Sequence, residues 1–180
     1  MAATKPFGFM RFEPGPGVGG HCLPIDPTYL SWRVRQDLGR AFRFVELAND
    51  VNDHMPEYVV QRLGELLNEH GKAVRGSRIL LAGPAYKANS GDCREAPAIG
   101  VASRLVRLGA DVRAADPHVV EGPDVPGVTR VELSPAEIAA ADVVVVLTDH
   151  DAFDLESVAA HARLVLDTRH RVPGKEAAAL

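Results

Sequence analysis

From residue 77 onward, short apolar segments alternate with amphipathic segments of helical period, and this alternation constrains the fold more than any other feature of the sequence. The apolar segments have strand length and cover residues 77–83, 111–115, 128–131, 143–147 and 164–167. The helical segments between them cover residues 98–108, 134–141 and 155–161. Strands that are apolar on both faces are typical of a parallel sheet with helices on each side. The pattern therefore predicts an α/β domain.

Polar residues follow four of the predicted strands. They occupy residues 83–87, 116–118, 148–150 and 167–169. In open α/β sheets, ligands bind beyond the carboxyl ends of the strands. The sequence therefore predicts a ligand site made from these four segments, and His150 is the histidine that we expect to be functional there.

The first part of the chain has a different composition. Residues 1 to about 30 are rich in glycine, proline and aromatic residues without a regular period, so an ordered loop is predicted. A helical signal extends from about residue 28 to Gly71, with Pro56 interpreted as a first-turn proline. Its apolar face comprises Val59, Val60, Leu63, Leu66 and Leu67. The flanking sequence offers little apolar surface to cover this face, so we expect it to pack against a second copy of the chain.

Residues 12–27 are the strongest local signal for chemistry. Their glycines satisfy the spacing of a dinucleotide fingerprint, but prolines replace the helix that this fingerprint requires, so we reject that interpretation. Dense glycines instead let backbone N–H groups approach a ligand closely. Cys22 lies among them, next to the basic His21, which makes it a candidate nucleophile, and Asp26 is placed to order a water or transfer a proton. Cys93 is interpreted as a small buried apolar residue.

Composition excludes several classes of function. The net charge is -4 and no basic run occurs, which argues against a nucleic-acid partner. The longest apolar stretch is residues 143–147, too short for a membrane span. Two cysteines and no secretion signal predict a reducing, cytoplasmic location. The histidines lack ligand spacing with Cys or Glu, so no metal is predicted.

Four ordered motifs resemble a known family. They are TKPFGFM with GPGVGGHCLPIDP, AYK with GDCREAP, LTDH, and VLDTR. Together they resemble the bacterial UDP-N-acetylhexosamine 6-dehydrogenases of the UDP-glucose/GDP-mannose dehydrogenase superfamily. The resemblance covers nearly all of residues 4–174.

The resemblance implies a fold and a reaction. Residues 75–174 would form a Rossmann-like UDP-sugar-binding domain, preceded by a catalytic loop and a central helical dimerisation segment in residues 1–74 and followed by a tail at 175–180. The implied reaction belongs to polysaccharide biosynthesis: it oxidises the C6 alcohol of a UDP-hexosamine to a uronic acid through a thiohemiacetal and a thioester on a cysteine, and it consumes two NAD molecules.

The resemblance also assigns residues to roles. Cys22 would be the nucleophile, Asp26 would help to activate water, and Arg94 would contact the NAD cofactor. The residues implied for substrate binding are Phe12, Pro14, Gly15, Gly17, Tyr86, Lys87 and Arg169. Arg169 would contact the substrate of its own subunit or, across a dimer interface, that of the second subunit.

No strand–GxGxxG–helix unit occurs in the sequence, so we expect the chain to lack the NAD-binding domain and to be inactive as a dehydrogenase alone. The expected partners are a UDP-sugar, a second copy in a homodimer and a separate NAD-binding half. Two alternatives stay open. One is a free-standing module that holds a nucleotide-sugar or dimerises without oxidising its ligand. The other is NAD-free chemistry at Cys22, such as acyl or thioester transfer.

Overall fold

The computed structural model describes residues 4, 7, 8, 13–120, 125–174, 178 and 179. Its helices are α1 (Cys22–Leu38), α2 (Arg43–Glu69), α3 (Pro97–Leu108), α4 (Pro135–Ala140) and α5 (Leu155–His161). Its strands are β1 (Arg78–Ala82), β2 (Asp111–Ala115), β3 (Val128–Arg130), β4 (Val143–Val146), β5 (Val165–Asp167) and β6 (Ala178–Ala179). The predicted strands are confirmed within about one residue at most ends, while β6 was not predicted.

The strands form one sheet in the order β3-β2-β1-β4-β5-β6, and every neighbouring pair is parallel. This confirms the predicted parallel α/β architecture, and the strand order is that of a Rossmann fold. The chain order reverses between β1 and β4, which are paired from Ile79 with Val143 to Ala82 with Val146. A ligand crevice is expected beyond the carboxyl ends of these two strands.

Successive strand residues point to two different cores, as the period of two requires. Ile79 and Leu81 pack with α2 and α3 on one face of the sheet. Leu80 and Val144 pack with α4 and α5 on the other face. All four residues are at most 2% exposed. Helices therefore cover both faces of the sheet. The edge formed by the carboxyl ends of the strands is left open for a ligand.

Local signals set the start of α4 and the end of α3 where the sequence predicted them. The Ser134 side chain accepts a hydrogen bond from the backbone N–H of Glu137 at the start of α4, with Pro135 in the first turn. The Glu137 carboxylate pairs with Arg113 at 3.2 Å. Gly109 ends α3 in the left-handed conformation that favours glycine.

The interpretation of the α2 apolar face as a dimer surface was wrong. Val59, Leu63 and Leu67 are fully buried inside the same chain, in the core that α3 and the sheet form. Pro56 was also misplaced, because it lies inside α2 rather than in its first turn. It is buried against α3, where a Cβ on Gly100 would lie 3.1 Å from the Pro56 Cβ. The glycine therefore lets the two helices approach closely at the proline.

The predicted loop over residues 1–30 was wrong after residue 21, because α1 begins at Cys22. Pro24 is compatible with this start, since N–H groups in a first helical turn have no intrahelical partner. Pro27 lies inside the helix. Side chains attach α1 to α2, including a 3.0 Å hydrogen bond from Asn49 to Thr28. None of the helices in the described ranges is both long and apolar enough to cross a bilayer.

Candidate functional site

A cavity of about 980 Å³ lies at the switch point of the sheet, between the strand ends and the helical segment. It brings together six of the residues that the sequence predicted to bind substrate: Pro14, Gly15, Gly17, Tyr86, Lys87 and Arg169. Phe12, the seventh, lies outside the described residues. The helices α1 and α2 contribute a mainly apolar wall that includes Leu23, Pro27, Val45 and Met55. The cavity therefore combines an apolar wall with two cationic and two acidic side chains: Lys87, Arg169, Glu13 and Asp149.

The glycine-rich loop over residues 13–20 lies against the α/β domain at distances that leave no room for side chains. A Cβ on Gly15 would lie 2.8 Å from Nη1 of Arg169. A Cβ on Gly19 would lie 2.5 Å from the carbonyl oxygen of Glu95, and one on Gly20 would lie 2.7 Å from the Tyr86 ring. Gly19 and Gly20 are therefore needed for close approach, because a Cβ there would meet backbone or a ring, whereas at Gly15 only the end of the Arg169 side chain would have to move.

Asn52 fastens this loop to α2, although sequence analysis gave it no role in the site. Its Oδ1 accepts a hydrogen bond from the Val18 backbone N–H at 2.7 Å, and its Nδ2 donates to the Val18 carbonyl at 3.1 Å. A carboxamide that pairs with both backbone groups of one residue fixes the position and the orientation of that residue. No local sequence pattern indicates this pairing, because it joins residues 34 positions apart.

Hydrogen bonds to residues at the carboxyl ends of β4 and β5 fix the position of Arg169. Its Nε donates to the Leu147 carbonyl at 2.8 Å, and its backbone N–H donates to the buried Asp167 carboxylate at 2.9 Å. Burial lowers the pKa of the Arg169 guanidinium, while the carboxylates of Asp149 and Asp167 act in the opposite direction. An arginine keeps its charge in proteins, so a positive group with a fixed orientation faces the cavity.

Tyr86 and Lys87 occupy the turn after β1. The Tyr86 backbone N–H donates to the Asp92 carbonyl at 3.0 Å, which closes this turn. Lys87 is exposed, and its Nζ lies 5.4 Å from the centre of the Tyr86 ring. The site thus presents an aromatic face, an ammonium and a guanidinium, which suits a ligand that has a ring and phosphates.

Cys22 and Asp26 lie one helical turn apart near the start of α1, and both are exposed. The cavity lining includes Leu23 and Pro24 but neither Cys22 nor Asp26. Gly20, two positions before the cysteine, is the residue that packs on the Tyr86 ring. The predicted nucleophile is therefore beside the cavity rather than in its wall.

Arg94 lies in a second cavity of about 900 Å³, which shares Val18, Pro24 and Asn52 with the first. Its Nε and Nη2 donate to the Asp92 carboxylate, and these hydrogen bonds lower the pKa of Asp92 to about 2. The Arg94 carbonyl accepts a hydrogen bond from the Gly20 N–H at 3.1 Å. The predicted cofactor residue thus lies in a second cavity that adjoins the one lined by the predicted substrate residues.

Two domain models of one protein family match the chain. The UDP binding domain of the UDP-glucose/GDP-mannose dehydrogenase family matches residues 80–173, and the central domain of that family matches residues 1–54. The UDP-N-acetyl-D-mannosamine dehydrogenase of Salmonella typhi is 35% identical over 164 residues, which are 87% of this chain and 38% of that protein. An NDP-N-acetyl-D-galactosaminuronic acid dehydrogenase of Ralstonia solanacearum is 36% identical, with 93% and 38% covered.

Among solved structures, the UDP-D-ManNAc dehydrogenase of Pyrococcus horikoshii matches with a TM-score of 0.76 and 27% identity, over 99% of this chain and 41% of that one. The chain spans 38% of the length of the Salmonella typhi relative and 38% of the length of the Ralstonia solanacearum relative.

Proposed function

The chain belongs to the UDP-glucose/GDP-mannose dehydrogenase family, and on this premise we propose that it is the part of a UDP-hexosamine 6-dehydrogenase that holds the nucleotide-sugar and supplies the nucleophile. The observation that carries the proposal is the cavity in which the glycine-rich loop meets Tyr86, Lys87 and Arg169 at the carboxyl ends of the strands. We keep the cytoplasmic location as a prediction.

The cavity suits a nucleoside diphosphate linked to a sugar. The guanidinium of Arg169 and the ammonium of Lys87 would neutralise the diphosphate, Arg169 with a planar fork of donors and Lys87 as a point charge. Tyr86 adds an aromatic ring to the lining of the cavity, and the loop residues Gly15 and Gly17 line it as well. The sugar would then extend along the loop towards Cys22.

Oxidation at C6 would proceed in two stages on the sugar. In the first stage C6 changes from alcohol to aldehyde, and the Cys22 thiolate adds to this aldehyde to form a thiohemiacetal. In the second stage loss of a further hydride gives a thioester on Cys22. Water then attacks the thioester carbonyl, the C–S bond breaks, and the carboxylate leaves with the thiol restored. Asp26 would accept the proton of that water.

NAD, when bound, accepts one hydride per molecule, and two molecules serve one sugar. Arg94 fits such a cofactor, because its exposed guanidinium lines the second cavity next to the loop. Its Nε and Nη2 already pair with Asp92, so a phosphate at this place would share the guanidinium with that carboxylate.

Calorimetric titration with UDP, GDP and UDP-N-acetylmannosamine, with and without NAD, tests the proposal. We expect the two uridine ligands to bind and the sugar to add affinity, because the cavity extends beyond the cations to the loop. Failure of all three ligands to bind would remove the nucleotide-sugar site from this chain.

A second candidate function is a binding module that holds the nucleotide-sugar without oxidising it. It is favoured by one observation: the proposed nucleophile Cys22 and its partner Asp26 lie beside the cavity and are not part of its lining. The test combines this titration with an absorbance assay for NADH after an NAD-binding half is added. Binding of UDP-N-acetylmannosamine without NADH formation would support the module. NADH formation would support the dehydrogenase.

We also propose a homodimer, on a different surface from the one that the sequence suggested. Large apolar side chains that do not line the cavity are exposed on α1 and the amino-terminal half of α2: Tyr29, Leu30, Trp32, Leu38 and Leu47. Soluble monomers rarely expose large contiguous apolar patches, and a second copy would cover these residues by a symmetric contact.

Paired substitutions distinguish the two surfaces. Trp32 is 57% exposed, so Trp32→Glu is expected to shift the chain towards monomer in sedimentation without unfolding it. Leu63 is fully buried, so Leu63→Ala is expected to lower the free energy of unfolding by about 2–5 kcal/mol and to leave association unchanged. Dissociation by Leu63→Ala without loss of stability would restore the original interpretation.

A further inference from the structure

A buried pair of ionisable side chains lies beneath the turn that carries Tyr86 and Lys87. The side chains of His150 and Asp116 are 0% and 1% exposed, and Nε2 of the histidine lies 3.0 Å from Oδ2 of the aspartate. His150 follows β4 and Asp116 follows β2, so the pair joins the ends of two strands that lie on either side of β1. None of the steps proposed for the oxidation uses either residue.

Hydrogen bonds define the tautomer of His150. The backbone N–H of Asn89 points at Nδ1 from 2.9 Å, and because a backbone nitrogen can only donate, Nδ1 accepts. In a neutral imidazole the hydrogen is then on Nε2, where it donates to Asp116. The ring therefore acts as a bridge that accepts from the turn on one side and donates to a carboxylate on the other.

Asp116 is fully engaged as an acceptor. Its Oδ2 also accepts from the Ala85 N–H at 3.0 Å, and its Oδ1 accepts from the N–H groups of His118 and Val119 at 2.9 and 3.1 Å. A buried carboxylate needs such partners, because an unpaired buried charge is costly. The orientation of the carboxylate is consequently fixed by backbone on both sides, and it fixes the histidine in turn.

The turn over residues 85–89 is anchored at each end by this arrangement. At its start, Ala85 donates to Asp116, and its carbonyl accepts from the Thr148 hydroxyl at 2.7 Å. At its end, Asn89 has a φ of 58° and donates its backbone N–H to His150. The Asn89 side chain pairs twice with Asp151, at 2.8 and 3.0 Å. Tyr86 and Lys87 lie between these two anchors.

We propose that His150 is a positioning residue, which holds the turn over residues 85–89 in the conformation that presents Tyr86 and Lys87 to the diphosphate of a nucleotide ligand. This rests on the proposed function of the cavity. The group that matters is the acceptor at Nδ1, because it receives the hydrogen bond from the Asn89 backbone N–H, whereas the Asn89–Asp151 hydrogen bonds use the Asn89 side chain.

Packing contacts of the ring do not account for this role. The His150 ring meets Phe153 edge-on with centroids 5.1 Å apart, and His118 lies 4.8 Å away in a tilted arrangement. A phenylalanine at position 150 would preserve much of this packing. It would, however, leave the Asn89 N–H and one oxygen of the buried Asp116 without the partner that they have now.

Three variants separate these contributions. His150→Phe removes both hydrogen bonds. His150→Asn places a carboxamide oxygen near the position of Nδ1 and can still accept from Asn89. His150→Gln places a carboxamide nitrogen near the position of Nε2 and can still donate to Asp116, but it has no acceptor at the position of Nδ1, where the Asn89 N–H points. Each variant of the full chain is titrated with UDP, melted thermally and followed by hydrogen exchange at the Asn89 amide.

We expect His150→Phe to weaken UDP binding by about tenfold or more and to accelerate exchange at the Asn89 amide. His150→Asn is expected to recover most of the affinity and the slow exchange, and His150→Gln is expected to recover neither, even where the two melt at similar temperatures. Equal recovery by Asn and Gln, or native affinity in His150→Phe, would overturn the proposal.

These experiments test the nucleotide site and the positioning role of His150 separately. If the native chain binds no UDP, the proposed function of the cavity is wrong, and exchange at the Asn89 amide still decides whether Nδ1 holds the turn. If His150→Phe does not fold, the comparison of Asn with Gln decides the same question. Slow exchange in the Asn variant and fast exchange in the Gln variant support the assignment, and the reverse order refutes it.

Discussion

Cys22→Ala is expected to lower the rate at which UDP-N-acetylmannosamine is converted to its uronate by at least about a thousandfold, in a preparation where this chain works with an NAD-binding half. The reason is chemical: without the sulfur no thiohemiacetal forms, so the aldehyde has no covalent route to the thioester. The exposed position of Cys22 beside the glycine-rich loop leaves its sulfur accessible to a sugar. Initial rates, together with intact-mass detection of a sugar adduct on the native protein, measure the effect.

Cys93→Ala is the matched control for this experiment. Cys93 is buried, and burial raises the pKa of its thiol, which disfavours the thiolate form that a nucleophile needs. We expect the control to retain its turnover. Normal turnover by Cys22→Ala would remove the cysteine from the mechanism, and so would an adduct that maps to Cys93.

Arg169→Met is expected to weaken UDP binding by roughly 10- to 100-fold, which corresponds to the loss of charge-assisted hydrogen bonds to phosphate. The guanidinium has a fixed orientation, because its Nε donates to the Leu147 carbonyl and its far end lies against Gly15. Methionine keeps an unbranched side chain of similar reach and removes the charge. Calorimetry with UDP, with the melting temperature followed in parallel, measures the change.

Two further variants sharpen this test. Gly15→Ala keeps the charge but would place a Cβ 2.8 Å from Nη1 of Arg169, so it displaces the guanidinium and should also weaken binding. Arg163→Met removes an exposed arginine that pairs with Asp142, close to the start of β4, and should bind like the native chain. Equal affinity of the native chain and Arg169→Met would exclude Arg169 from the diphosphate site.

Much of the fold could be predicted because burial leaves a local trace in the sequence. The strand run at residues 143–147 is apolar throughout, since both faces of β4 are covered, and the structure confirms this with four fully buried valines. The cap of α4 by Ser134 was predictable for a similar reason, because the side chain and the N–H that it satisfies are only three residues apart.

The same reasoning failed where the partner of a residue is distant. The α2 face containing Leu63 was correctly identified as apolar, but the period of a helix does not say which surface covers it. The start of α1 was missed because prolines were taken to exclude a helix, whereas Pro24 lies in a first turn and Pro27 is tolerated further in. Six of the predicted substrate residues do share a cavity, and Cys22 and Asp26 lie at its side.

By itself, the sequence determined the alternation of strands and helices between residues 77 and 167, the parallel sheet and the polar strand ends, because each depends on side chains a few positions apart. The tertiary structure alone decided which surface covers α2, how Asn52 holds the glycine-rich loop, and which nitrogen of His150 carries the hydrogen. These features depend on pairs such as Val18 with Asn52 and Asp116 with His150, each 34 residues apart. A hydrogen bond over such a distance has no periodic signature, since only the folded backbone brings its donor and its acceptor together.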